Sequence, residues 1–152
     1  MHCASAAPRH QAGVGLIEVL VAVLVLSIGF IGVAALQAMS LSTNNSAMAR
    51  SMATVSSYSI LDVMRIDRAA AKNGDYDGTV AGNACPATGA TLAKSQLNKW
   101  CTQLAANLGA VASTTGNVSC DATGNCAVTV SYDDSRAKNG GGTQTVVTEA
   151  KL

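Results

Sequence analysis

From Val14 to Met39 the chain is predominantly apolar on every side, and Glu18 is its only charged residue. No further charge appears until Arg50. A stretch that is hydrophobic all round suits lipid, where a helix spans with about 20 apolar residues and satisfies its own backbone. The run is also longer than the apolar core of a signal peptide, about 7–15 residues. The pattern then changes without a break. Between Ser40 and Ala71 there is neither proline nor glycine, and Met48, Met52, Val55, Ile60 and Met64 recur largely at helical spacing. Arg50, Asp62, Arg65, Asp67 and Arg68 fall mostly off that stripe. The pattern predicts one helix from Val14 to Ala71, about 85 Å long at 1.5 Å per residue. Its first half is apolar and its second amphipathic, with Gly29 and Gly32 read as close helix packing or membrane tolerance for glycine rather than a dedicated hinge.

Asn73-Gly74 marks the end of this helix, since glycine readily adopts the left-handed cap conformation. Residues 75–89 read as a loop rich in Gly, Asp and Asn. Within it, Asp75-Tyr76-Asp77-Gly78 lacks the further acids of a calcium loop, so no metal is expected there. Thr91 to Leu108 predicts a second helix, capped by Thr91 and closed by Gly109. Leu97, Cys101, Leu104 and Leu108 form its stripe, with Trp100 beside them as a core anchor.

After Asn117 the period becomes two. Cys126, Val128, Val130 and Tyr132 alternate with Ala127, Thr129 and Ser131, which predicts a half-buried strand. Val118 and Cys120 indicate a strand before it, and Thr143 to Glu149 one after it. Residues 121–125 and 133–142 are the turns. The expected fold is α+β: a long N-terminal helix packed on a small antiparallel sheet with one wet face. The expected organisation is a leader at 1–13, a membrane helix at 14–39, an amphipathic continuation at 40–72, and an exported head at 73–152.

Aromatic residues make up 3% of the chain and charged residues 12%. A core of such small side chains needs extra fastening. Cys85, Cys101, Cys120 and Cys126 supply it if the body is exported, since oxidising compartments sustain disulfides. Cys120 and Cys126 flank a turn and pair most simply with each other, leaving Cys85 with Cys101. Crossed pairings and free thiols stay open. No C-x-x-C spacing and no nearby histidine supports a zinc site. Both histidines, His2 and His10, precede Val14, so the body has no Ser-His-Asp or Cys-His machinery. No phosphate or dinucleotide motif is present, and the expectation is no enzyme and no cofactor. The net charge of +1 implies no nucleic-acid partner.

A carboxylate inside a membrane helix costs about 2.5–3.5 kcal/mol on insertion scales, so Glu18 demands a partner. Gly13-Val14-Gly15-Leu16-Ile17-Glu18, followed by Val19-Leu20-Val21-Ala22, resembles the N-terminal motif of type IV prepilins and pseudopilins. The preceding leader holds Arg9 and His10 and no acid, which favours a cytoplasmic start. The resemblance implies cleavage after Gly13 by prepilin peptidase and methylation of the new N-terminus at Val14. Glu18 is then the fifth residue of the mature chain. It is implied to pair with the Val14 amine of a neighbouring subunit or its own. Val14 and Gly15 stand where the family usually has Phe and often Thr.

The segment Ile60 to Ala69 and the run Leu20 to Gly29 are further similar to minor pilins of the PilV type. That likeness implies a minor pilin of a type IV pilus, in the inner membrane with a periplasmic head and then in the fibre. Its implied partners are other minor and major pilins. A minor pseudopilin of a type II secretion system and a plain single-pass anchored protein are the competing readings.

Overall fold

Why a 51-residue helix forms without a break is answered by its side chains. The computed structural model describes residues 13–135 and 142–152, and α1 spans Leu16–Ile66. Serine and threonine normally compete with helix backbone, but here they fold back onto it. Ser27, Thr43, Ser51, Thr54 and Ser57 each donate to the carbonyl four residues earlier, at 2.7–3.0 Å. Ser27 therefore carries no unpaired hydroxyl within the apolar run.

Packing divides the chain after Ala38 into two compact units. In the first, the α1 residues expose their side chains throughout. An 18-residue window of this helix has a mean hydropathy of 2.9, long and apolar enough to cross a membrane.

The second unit, Met39–Leu152, contains the rest of α1, α2 (Arg68–Lys72), β1 (Gly78–Ala81), α3 (Leu92–Leu108), β2 (Thr115–Cys120), β3 (Asn125–Asp133) and β4 (Thr143–Lys151). The strands form one antiparallel sheet in the order β1-β2-β3-β4. α1 and α3 cover one face of it. Ala53, Ile60, Leu61 and Met64 from α1 share a core with Trp100, Cys101 and Leu104 from α3. Val118, Cys126, Val128, Val130 and Tyr132 supply the sheet side of that core. The α+β class, with a long N-terminal helix and a small antiparallel sheet, is as expected.

Three expectations need correction. The long helix ends at Ile66 rather than Ala71, because Asp67 leaves helical geometry at φ −106°, ψ 48° and a separate α2 follows. The Asp67 carboxylate accepts the hydroxyl of Tyr76 at 3.1 Å, across the short α2. Gly74 then closes α2 at φ +81°, with its N–H on the Ala71 carbonyl (3.1 Å).

The buried stripe of α1 is displaced in part: Ile60 and Met64 face the core as expected, joined by Ala53, Ser56, Ser57 and Leu61, whereas Met48 and Val55 stand 59% and 63% exposed. Small residues face inward because Trp100 arrives from α3 and donates its Nε1–H to the Ser56 carbonyl at 2.9 Å. Finally, residues read as loop contain β1. Only Val80 points inward from it, and four residues are too few to display a period of two. Residues 1–12 of the expected leader at 1–13, and residues 136–141 of the last expected turn, lie outside the described residues.

Candidate functional site

Gly13, Val14 and Gly15 precede α1 without helical structure and are exposed. A Cβ added at Gly13 would meet nothing within 4 Å. Packing within the described fold therefore does not require glycine at this position. α1 starts on the Gly15 carbonyl, which accepts from Glu18 N–H (3.0 Å) and Val19 N–H (3.3 Å). Glu18 therefore lies in the first turn. Free amides there form the positive end of the helix dipole, which favours a carboxylate.

Val14, Glu18 and Ala22 follow at steps of four and, with Val19, Val23 and Leu26, line one shallow groove. Among the described residues that line it, Glu18 is the only charged one. An amine freed at Val14 by cleavage would stand in the same groove as this carboxylate. The family described as the prokaryotic N-terminal methylation motif matches residues 8–34.

The chain carries a prepilin-type N-terminus. The match supports the type IV pilin class, pilins and pseudopilins together, and the motif implies prepilin peptidase processing and membrane association. No curated protein and no solved structure matches. The match covers the N-terminal segment alone, so the body must be read from its own geometry.

Four cysteines of that body form two bridges, Cys85–Cys101 and Cys120–Cys126. The first ties the segment after β1 to the buried face of α3, where Cys101 is fully buried. The second joins directly opposed residues of β2 and β3. Between them, Asp121 closes the turn. Its carboxylate accepts from Thr123 Oγ1 (2.7 Å), Asn125 N–H (2.8 Å) and Asn125 Nδ2 (2.9 Å). These bonds stabilise the anion and hold the Asp121 carboxyl far below the usual carboxylate range.

The segment that superficially resembled a calcium loop does structural work. Tyr76 is fully buried, and burial, then the Asp67 hydrogen bond and nearby carboxylates, push its phenol up to about 12. Asp77 accepts the Cys120 N–H at 2.9 Å, fastening β2 to the start of β1. Among the described residues, no group of three or more His, Cys, Asp or Glu is placed to hold a metal ion. Sequence reading missed the Asp67–Tyr76 and Asp77–Cys120 contacts. Neither has a local signal, since each joins segments that only folding brings together.

Proposed function

We propose that this protein is a minor pilin of a type IV pilus, of the PilV type, acting without catalytic chemistry. It enters the inner membrane as a prepilin with its head in the periplasm. Prepilin peptidase cuts after Gly13 and methylates Val14. The mature subunit then joins other minor pilins in a complex that primes assembly or lies at the fibre tip.

The observation that carries this reading is the placement of Glu18 beside Val14 in one apolar groove, within the matched methylation motif. A charge left without its partner in a low-dielectric helix bundle costs about 3–5 kcal/mol. A subunit whose Glu18 meets a Val14 amine in the fibre is therefore favoured over one alone in lipid, and the pairing sets its axial register.

Mass measurement of the purified protein tests the processing step. The expected N-terminus is methyl-Val14, and retention of residues 1–13 overturns the proposal in favour of a plain anchored protein. Glu18→Ala is expected to be processed normally but depleted from sheared fibres. Undiminished incorporation would remove the role given to Glu18. Recovery of the chain with a secretion pseudopilus rather than with pili would assign it to type II secretion.

A further inference from the structure

The outer side of α1 within the head carries a period of its own. Leu41, Asn44, Met48, Ser51, Val55 and Tyr58 follow at alternating steps of three and four, and all six are exposed. That spacing averages 3.5 residues, the repeat of the a and d positions of a coiled coil. It continues to Asp62 and Arg65, which form an ion pair with each other and end the uncharged part. Ala53, Ser57, Ile60 and Met64, which face the core, lie on the opposite side of the helix. The fold therefore leaves this seam open along with four large side chains, Leu41, Met48, Val55 and Tyr58.

The chemistry of the seam fits a second copy of the chain. Between Glu18 and Asp62 the only charge is Arg50, which lies off the seam, so identical copies meet there without like-charge repulsion. Its polar members tolerate self-pairing. Ser51 Oγ already donates to the Ala47 carbonyl at 3.0 Å, so covering it leaves no hydroxyl unpaired. The Asn44 amide carries both donors and an acceptor and can bond its own copy across the seam. A single such polar residue fixes the register of a coiled coil. Chain direction follows from the membrane-length helix and the methylation motif. Copies of one sequence insert with the same topology, so their helices meet parallel. Equal residues then face each other about a two-fold axis.

We infer that two membrane-inserted copies pair through Leu41, Asn44, Met48, Ser51, Val55 and Tyr58 as a parallel coiled coil about 26 Å long. So short a seam relies on the membrane to hold both copies at high effective concentration. The inference requires membrane insertion and is independent of the minor-pilin reading.

Cysteine cross-linking of the full chain in membranes, from cells lacking pilus machinery, tests it. The background carries Cys3→Ala, and the other four cysteines are already bridged. Under mild oxidation Ser51→Cys should give a disulfide-linked dimer of this chain, at least about tenfold more than Arg50→Cys, which is exposed but off the seam. Met48→Cys serves if Ser51→Cys fails to accumulate. Adding Val55→Glu places two carboxylates face to face. It should cut the cross-link at least about tenfold, with the melting temperature unchanged because Val55 is exposed. Val55→Leu should keep the cross-link. Equal yields at Ser51 and Arg50, a yield unmoved by Val55→Glu, or linkage to a different protein in place of the dimer each overturn the inference.

Discussion

Gly116→Ala probes the contact that joins α1, α3 and β2. Gly116 lies on β2 beneath the Trp100 ring. A Cβ there would stand 2.4 Å from Trp100 Cη2, 2.7 Å from Cζ3 and 2.7 Å from Leu104 Cδ1. Ordinary carbon contacts lie at about 3.5–4.0 Å, so the ring must retreat by roughly 1 Å or more. It is not free to do so, because its Nε1–H is held by the Ser56 carbonyl at 2.9 Å. Overpacking of a filled core costs about 1–3 kcal/mol. Loss of the indole hydrogen bond adds about 0.5–1.5 kcal/mol. Replacing glycine by alanine returns about 0.4–1 kcal/mol through the unfolded chain. The net expectation is destabilisation by about 1–3 kcal/mol, which for a domain near 100 residues lowers Tm by about 5–15 °C. Thermal unfolding of the oxidised full chain in detergent measures it, with Trp100, the sole tryptophan, as the fluorescent reporter. The penalty should shrink in a Trp100→Leu background, because the two sites share one space. A Tm within about 2 °C of wild type, with unchanged Trp100 emission, would refute this account of the core.

Asp121 makes acid stability dependent on one turn. Its folded pKa is depressed, so its contribution is present above the unfolded value of 3.8 and lost as pH falls below that value. Melting temperature measured from pH 6 to pH 2 should fall less steeply in Asp121→Asn than in wild type. The two bridges should differ in worth. Cys85–Cys101 spans 16 residues and Cys120–Cys126 spans 6. In the chain-entropy description their removal costs about 3 and about 2 kcal/mol respectively, so urea midpoints of Cys85→Ala/Cys101→Ala should lie below those of Cys120→Ala/Cys126→Ala.

The membrane-length helix, the prepilin-type N-terminus, the second helix with its caps, and the alternating strand β3 were all legible in the chain. Each depends on neighbours in sequence: an unbroken apolar run, a glycine and a glutamate at set spacing, a threonine and a glycine bounding a stripe, a period of two. Helix periodicity and capping are local physics, so one sequence suffices for them.

What tertiary structure decided lies where distant segments meet. Asp67 breaks the long helix where Tyr76 reaches it. The inward face of α1 is a small-residue face because Trp100 lies against Ser56, which rotated the buried stripe away from Met48 and Val55. β1 exists because β2 pairs with it, four residues being too short to announce themselves. Sequence alone determined the membrane-length run, the two long helical segments and the strands after Asn117. Only the fold decided which face of each is buried and which edge is left open, because those depend on partners far apart along the chain.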